Sequence, residues 1–125
     1  MRAAIYLRLS KEDKQESIEN QRALLRKYAN DHGFSVVKEY TDEAISGLTD
    51  TRPGFAKMME DARQGHFDVI LAKNQSRFSR NFLHIEQYLH RELPNLNIRF
   101  IGVTDGVDTG KINNIAVRRS GKKTR

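Results

Sequence analysis

Segments with strand periodicity alternate with segments of helical periodicity along most of this chain, and this alternation limits the possible folds more than any other feature. Residues 3–10, 34–40 and 98–103 have the composition of strands, and residues 67–72 form the short apolar run typical of a buried central strand. Strands that alternate with helices predict crossover connections between parallel strands. The sequence therefore predicts an α/β fold in three layers, with helices on both faces of a mostly parallel central sheet of four to five strands.

Three helices are predicted between these strands. The first has Ser17 as its N-cap and ends at Gly33, and the second starts at Pro53, a good first-turn residue, and ends at Gly65. The third helix is predicted to end before Pro94. Its inner side is predicted to carry four apolar side chains, Phe82, Ile85, Leu89 and Leu93.

The composition fits one ordered, soluble domain. The chain has 125 residues, of which 38% are hydrophobic and 30% charged, and this is enough for a single hydrophobic core. It has no cysteine, which excludes disulfides and thiolate metal sites, and no apolar run approaches the roughly 20 residues of a membrane helix. The N-terminus lacks the apolar core of a signal peptide. A cytoplasmic protein with no membrane partner is the simplest interpretation.

The net charge of +6 originates at the C-terminal end. Six of the 22 basic residues lie within residues 111–125, which hold no acid, and the other 16 basic residues are balanced by 16 acidic ones. Such a tail is typical of contact with a polyanion such as nucleic acid, and it is equally typical of a solvated, poorly ordered terminus. On charge alone both interpretations stand.

The predicted sheet brings distant polar segments to one edge. Ser10, the polar connection 41–52 and the polar segment 73–81 follow the first three strands, and the carboxyl ends of parallel strands share one edge, where open α/β sheets bind their ligands. Residues 11–16 are highly charged and are predicted as a mobile loop. Ser10 is a candidate nucleophile, whereas a serine at a strand end usually only caps a turn. Four arginines are expected around it: Arg8, Arg52, Arg77 and Arg80.

Four guanidinium groups near one hydroxyl suit a phosphodiester substrate. The planar fork of arginine pairs with phosphate oxygens and stabilises negative charge that develops at phosphorus. Arg8 and Ser10 lie two residues apart on one strand, so their side chains are expected on the same face. Arg77 and Arg80 lie three residues apart, which places them on the same side of a helical turn. The alternative is that these arginines are unrelated surface residues in a chain that has 22 basic residues.

Four short sequence blocks hold Ser10 and these four arginines. They are residues 6–10 with 17–22, residues 40–47 with 52–55, residues 76–81, and residues 98–101 with 105–108. In their order and spacing these blocks resemble the serine recombinases, the resolvase/invertase group, over essentially residues 3–108. The residues of these blocks are most similar to those of the large serine recombinases.

The resemblance implies site-specific DNA strand exchange. In this family a serine attacks the scissile phosphate, displaces a 3′-hydroxyl and becomes joined to the 5′-phosphate, and the exchanged ends are rejoined by the reverse reaction. No cofactor and no metal are expected, because arginines supply the positive charge. By position, the resemblance makes Ser10 the nucleophile and assigns the remaining active-site contacts to Arg8, Arg52, Arg77 and Arg80. It assigns support of the site to Gln21, Asp42 and Ser46.

The third block departs from the family pattern. Small resolvases have an aspartate directly before the first arginine of this block, where Ser76 stands here, and large relatives often have an acid at the position of Gln75 or Asn74. The acid that orients the arginines is therefore expected from elsewhere, and Asp42 is the candidate. No general base is assigned, since none of the four histidines lies in a matched block.

The resemblance also implies a division of the chain into a catalytic domain, residues 1–108, and a poorly ordered basic connector, residues 109–125. Three residues of this connector are expected to contact DNA: Lys122, Lys123 and Arg125. In the family a long dimer-forming helix and a DNA-reading region follow, and this sequence stops about where that helix begins. We therefore expect the fragment to be mostly monomeric and inactive alone, and the full-length protein to form a dimer or tetramer on DNA.

Two alternative functions fit parts of the sequence. A non-catalytic remnant or regulator would keep the fold and contact DNA or a partner recombinase without cutting. The missing acid favours this hypothesis, and the intact Ser10 and four arginines oppose it. A flavodoxin-like nucleotide- or phosphate-binding domain needs a glycine-rich turn after the first strand, and residues 9–13 contain no glycine.

Overall fold

A computed structural model describes residues 1–10, 13, 15–45 and 52–110 of the chain. Its strands are β1 (Arg2–Ser10), β2 (Ser35–Ile45), β3 (Val69–Ala72), β4 (Arg99–Gly102) and β5 (Val107–Asp108). They form one sheet in the order β2-β1-β3-β4-β5, in which the first four strands are parallel and β5 runs antiparallel to β4. This five-stranded, mostly parallel sheet confirms the predicted fold class.

Helices cover both faces of the sheet, as the three-layer prediction requires. They are α1 (Ile18–Asp31), α2 (Pro53–Arg63), α3 (Gln75–Phe78), α4 (Phe82–His84), a π-helical segment (Ile85–Glu92) and α5 (Leu93–Asn95). α1 buries Leu25 and Ala29 against one face of the sheet. α2 and the π-helical segment pack on the other face, around Tyr6 and Phe100. No helix in the described part of the chain is both long enough and apolar enough to cross a membrane.

β1 lies between β2 and β3 and supplies both cores. Ile5 and Leu7 belong to the core under α1, and Ala4 and Tyr6 belong to the core under α2. Because successive side chains of a strand point to opposite faces, one strand can serve both layers only if nearly every residue is apolar. Replacing a buried residue such as Leu7 with alanine should cost about 2–5 kcal/mol of the free energy of unfolding.

The helix boundaries follow their local signals. The Ser17 hydroxyl accepts a hydrogen bond from the backbone N–H of Asn20 at 3.0 Å, which confirms the predicted N-cap. Pro53 occupies the first turn of α2. Gly33 and Gly65 follow the ends of α1 and α2 with φ of +77°, a left-handed conformation that favours glycine.

β2 is longer than predicted. The polar pattern predicted a connection from residue 41, yet the strand continues to Ile45. The continuation arises from long-range pairing, because the end of β1 offers a parallel ladder in which Leu7 lies opposite Thr41 and Arg8 opposite Asp42. The polar side chains of this continuation lie at the edge of the sheet, and they do not show the alternation of polar and apolar residues that predicts a strand. The short strand β5 likewise lies where the sequence pattern is lost, and it is held by pairing with β4.

The third helix differs from the prediction in one of its buried residues and in where it ends. Ile85, Leu89 and Leu93 are buried as predicted, but Phe82 is 72% exposed. Residues 85–92 are π-helical, so each turn contains more residues than a turn of an α-helix. The α-helical spacing that would place Phe82 on the same face as Leu89 therefore does not hold here. The helical path also continues through Pro94 to Asn95. The prediction that the helix ends before Pro94 was therefore wrong.

Candidate active site

The carboxyl end of β1 is fixed from the opposite face of the sheet by Gln21. The fully buried Gln21 side chain accepts a hydrogen bond from the Arg8 backbone N–H at 3.2 Å and donates one to the Arg8 carbonyl at 2.9 Å. A buried amide that pairs with both main-chain groups of one residue fixes the strand where its ladder changes register, between Leu9 and Ser10. Gln21, predicted to support the site, therefore lies directly behind it.

Arg8 and Arg77 are joined by hydrogen bonds from the guanidinium group of each to the backbone carbonyl of the other. The Arg8 Nε donates to the Arg77 carbonyl at 2.8 Å, its Nη2 donates to the Ser76 carbonyl at 2.5 Å, and Arg77 Nη1 donates back to the Arg8 carbonyl at 3.1 Å. The N-cap of α3 fixes the position of Arg77, since the Asn74 side chain accepts a hydrogen bond from the Arg77 backbone N–H at 3.0 Å. The first and third sequence blocks are thus joined by hydrogen bonds across the sheet edge.

Asp13 connects the Ser10 hydroxyl to Arg77. Its Oδ2 accepts hydrogen bonds from the Ser10 backbone N–H at 2.7 Å, the Ser10 Oγ at 2.9 Å and Arg77 Nη1 at 2.6 Å. Its Oδ1 accepts from Arg77 Nη2 at 3.0 Å, so the carboxylate and the guanidinium form a two-pronged pair. The hydrogen bond from Arg77, followed by those from Ser10, holds the pKa of Asp13 well below its usual range.

This pair identifies the acid that the third sequence block lacks. The acid that pairs with Arg77 is Asp13, in the segment that the sequence predicts as a mobile loop. The expectation that Asp42 performs this role was wrong. Asp42 lies on the other side of β1, in the paired strand β2, and it accepts hydrogen bonds from Tyr6 and from the start of α2.

Asp42 organises the start of α2. The buried carboxylate accepts a hydrogen bond from the Tyr6 hydroxyl at 2.7 Å and from the backbone N–H groups of Gly54 and Phe55 at 2.8 Å and 2.9 Å. A negative charge at this end of a helix is favourable and satisfies two N–H groups that lack helical partners. Gly54 is required here because a Cβ atom would lie 2.7 Å from the Thr41 carbonyl oxygen.

Arg52 extends from the same helix start toward the other arginines. Its guanidinium carbon lies 4.0 Å from the centre of the Phe55 ring, and its Nη1 donates to the Phe78 carbonyl at 2.5 Å and reaches the Tyr6 hydroxyl at 3.5 Å. Arg52 therefore bridges the second and third sequence blocks. Its stacking on Phe55 stabilises a cation that is only partly exposed.

Arg77 and Arg80 do not share a helical turn, so that prediction was wrong. α3 ends at Phe78, Ser79 is extended, and the chain then turns toward α4. As a result Arg77 is 8% exposed, whereas Arg80 is exposed and lines an open cleft with Ser76 and Ser79. The two arginines nevertheless belong to one cluster.

The other three predicted arginines lie close enough to Arg8 to lower its pKa. Burial lowers the pKa of Arg8, and the positive charges of Arg80, Arg52 and Arg77 lower it further. The edge therefore concentrates like charges that repel one another in the absence of an anion. Such a cluster is stabilised when a phosphate neutralises it.

Four predicted site residues lie outside the residues that the structure describes. They are Ser46 in the connection before α2 and Lys122, Lys123 and Arg125 in the C-terminal tail. The other predicted site residues all lie at the carboxyl edge of the sheet or directly behind it.

Sequence reasoning missed two residues of this edge, Asp13 and Tyr6. Asp13 lies three residues after Ser10, a spacing at which an aspartate can return a hydrogen bond to the preceding turn, and its N–H bonds the Ser10 carbonyl at 3.1 Å. That local signal exists in the sequence, but the partner Arg77 is 64 residues away. Tyr6 lies in the first block, and the alternation of the strand places it beside Arg8, yet its bond to Asp42 depends on the pairing of β1 with β2.

Comparison with known proteins finds one matching family model and several similar solved structures. Residues 3–118 match the family model "Resolvase, N terminal domain". The N-terminal catalytic domain of TP901-1 integrase is 27% identical with a TM-score of 0.74, and the match covers 96% of this chain and 99% of that one. The C-terminal catalytic domain of ISC1926 TnpA, an IS607-like serine recombinase, is 28% identical with a TM-score of 0.71 and coverage of 95% and 80%. A resolvase family site-specific recombinase from Streptococcus pneumoniae shares the fold at 22% identity, a TM-score of 0.71 and coverage of 97% and 93%.

Proposed function

We propose that Ser10 is the nucleophile of DNA cleavage. The chain belongs to the resolvase N-terminal domain family and is the catalytic domain of a serine site-specific recombinase. The observation that carries this assignment is the connection of the Ser10 hydroxyl to Arg77 through one carboxylate, inside a cluster of four arginines. Unrelated surface arginines would not gather from separate elements around Arg8, two residues before a buried serine.

The proposed reaction exchanges one phosphodiester for another. The Ser10 Oγ forms a bond to the scissile phosphorus as the bond from phosphorus to the 3′-oxygen breaks. The serine hydroxyl loses a proton and the departing 3′-oxygen gains one, so no proton is consumed overall. Because the serine ester retains the energy of the original bond, the 3′-hydroxyl of an exchanged strand can reverse the step and rejoin the DNA.

We assign phosphate binding and charge stabilisation to the arginines. Arg77 and Arg8 lie nearest to Ser10 in the hydrogen-bond network and are proposed to contact the phosphate in the transition state. Arg80 lines the open cleft and is proposed to meet the DNA backbone first, and Arg52 completes the cluster from the α2 side. Gln21 and Asp42 are positioning residues, because they act on the backbone of Arg8 and on the start of α2.

The proposal extends to segments that lie largely outside the described residues. We propose that Lys122, Lys123 and Arg125 contact DNA, that Ser46 supports the site, and that residues 109–125 form a connector after the catalytic domain. We also propose a cytoplasmic protein that assembles as a dimer or tetramer on DNA. Strand exchange requires at least two nucleophiles at one crossover site, and each chain supplies one Ser10.

A covalent adduct tests the assignment of Ser10. Residues 1–125 would be fused to a zinc-finger DNA-binding domain, and the fusion would be bound to a nicked DNA that carries two finger sites around a randomised centre. Cleavage next to a nick releases a short strand, so the protein–DNA adduct accumulates. We expect a denaturant-stable adduct whose peptide carries a 5′-phosphate on Ser10.

Two variants complete this test. Ser10→Ala should give no adduct, and Ser35→Ala, which removes an exposed hydroxyl at the other end of the sheet, should give as much adduct as the unchanged fusion. The two finger sites hold two copies side by side on one DNA, which replaces the association that the isolated chain is expected to lack, so a fusion that occupies both sites in a gel-shift assay and yields no adduct would contradict the proposal. That result would favour the non-catalytic regulator.

A further inference from the structure

The Asp13 carboxylate occupies a position with the hydrogen-bond donors of a phosphate site. Four donors converge on its two oxygens: the backbone N–H of Ser10, the Ser10 hydroxyl, and both terminal nitrogens of Arg77, at 2.6–3.0 Å. A carboxylate and a phosphate both present two coplanar oxygens to the guanidinium fork, so they compete for the same edge of arginine. The described edge therefore contains an anion already, and it belongs to the protein.

The same contacts enclose the groups that must reach DNA. Ser10 is 6% exposed and Arg77 is 8% exposed, while the Asp13 side chain, 13% exposed, lies against both. A phosphodiester within a DNA strand is bulky and carries a charge of the same sign as Asp13. It cannot contact the Ser10 Oγ and the Arg77 fork while the carboxylate remains between them.

Arg77 also has an unused donor. Its Nε is buried and makes no hydrogen bond in the described part of the chain, and a buried donor without an acceptor is unfavourable. The two oxygens of Asp13 are fully engaged by Ser10 and the terminal nitrogens of Arg77. A phosphate that binds the neighbouring edge of the guanidinium can accept from Nε and Nη2 together, a pairing that the Asp13 carboxylate on the two terminal nitrogens does not use.

We propose that Asp13 is an internal substitute for the scissile phosphate, which holds Ser10 and Arg77 in place at rest and leaves them when the DNA phosphate binds. This inference rests on the proposed function of the Ser10 edge. It differs from a general-base role, in which Asp13 would stay beside the serine and take its proton. The bonds from Arg77 and Ser10 that lower the pKa of Asp13 also make it a poor proton acceptor.

Phosphate binding to the isolated chain tests the substitution directly. Inorganic phosphate would be titrated into the wild type and into Asp13→Asn by calorimetry, at constant ionic strength maintained with chloride. Removing the competing charge should tighten phosphate binding by at least about tenfold, which corresponds to about 1.4 kcal/mol. Adding Arg77→Gln to Asp13→Asn should abolish that gain.

A matched variant controls for net charge. Asp31→Asn removes one negative charge from an exposed residue of α1 that pairs with Lys27, and it should leave phosphate affinity at the wild-type value. Equal tightening by Asp31→Asn and Asp13→Asn would overturn the proposal, because the effect would then be general electrostatics. If Asp13→Asn does not fold, Asp13→Ser keeps a short hydrogen-bond acceptor at residue 13 and serves in the same titration.

Cleavage by the zinc-finger fusion separates this inference from the proposed function. With Asp13→Asn the initial rate of adduct formation should exceed that of the wild type, because the charge that competes with the DNA phosphate is removed, whereas an acid that takes part in the transition state would lose about a hundredfold or more when replaced. Such a loss would overturn the substitution and leave Ser10 as the nucleophile. Equal phosphate affinity of wild type and Asp13→Asn, or no phosphate binding by either, would also overturn it, with the adduct test of Ser10 still decisive for the proposed function.

Discussion

Two aspartates flank the end of β1, and they differ in what they bind. On the α2 side, Asp42 accepts hydrogen bonds from the Tyr6 hydroxyl and from two backbone N–H groups of α2. On the α3 side, Asp13 accepts from Ser10 and from the guanidinium of Arg77. The partners of Asp42 are neutral groups fixed by the fold, and those of Asp13 are the proposed nucleophile and a cation.

The difference separates a structural carboxylate from an exchangeable one. No incoming anion can replace Asp42 without removing the cap of α2 and the partner of Tyr6. An incoming phosphate can replace Asp13, because Arg77 and Ser10 gain equivalent oxygens in return. The two sides of the edge should therefore respond in opposite ways to substitution: stability should depend on Asp42, and the response to phosphate should depend on Asp13.

The largest expected effect concerns the rate of cleavage on the α3 side. Arg77→Ala should lower the rate of adduct formation by the zinc-finger fusion by about 10²–10³-fold, if Arg77 acts like one donor of an oxyanion hole. The measurement is the initial rate of adduct formation at saturating fusion protein. Cleavage at nearly the wild-type rate would remove Arg77 from the proposed mechanism.

The next effect concerns stability on the α2 side. Asp42→Ala leaves the Tyr6 hydroxyl and two helix N–H groups without their acceptor, and it should lower the free energy of unfolding by about 3 kcal/mol. Asp13→Ala should cost less, because a chloride or phosphate ion from the buffer can take the place of the carboxylate beside Arg77 and Ser10. Urea unfolding monitored by circular dichroism measures both values. Equal losses for the two variants would abolish the distinction between them.

A smaller effect compares two helix caps. Asn74→Ala and Ser17→Ala each remove a side-chain cap and should each cost about 1 kcal/mol of unfolding free energy. Only Asn74→Ala should also slow adduct formation, since its helix carries Arg77. The two variants have matched stability losses, so a rate reduction in both would indicate that stability, and not the placement of Arg77, limits cleavage.

The smallest effect is on stability in acid. The pKa of Asp13 is lower in the folded chain than its usual value of about 3.9, so its contribution to stability is present above that pH and is lost as the pH falls through the folded-state pKa. Asp13→Asn should therefore make the loss of stability below pH 4 less steep. Urea midpoints measured from pH 6 to pH 2 would show it, and identical slopes for the two proteins would contradict it.

Local signals in the sequence predicted most of the architecture. Ser17, Gly33, Pro53 and Gly65 fix helix boundaries through groups within a few residues, so the sequence alone was sufficient. The apolar strands required only their own composition. Phe82 and the extension of β2 were predicted wrongly, because a π-helical segment and the pairing of β2 with β1 changed the local period.

The sequence by itself determined which residue types meet at the carboxyl edge of the sheet. Each parallel strand delivers its following segment there, so Ser10 and the four arginines could be placed together from topology. Only the tertiary structure decided how they are paired. The assignment of Asp13 to Arg77 and of Asp42 to α2 depends on which donors come within 3 Å of each carboxylate after folding. That distance is set by strand register and helix placement across tens of residues, and no local pattern in the sequence records it.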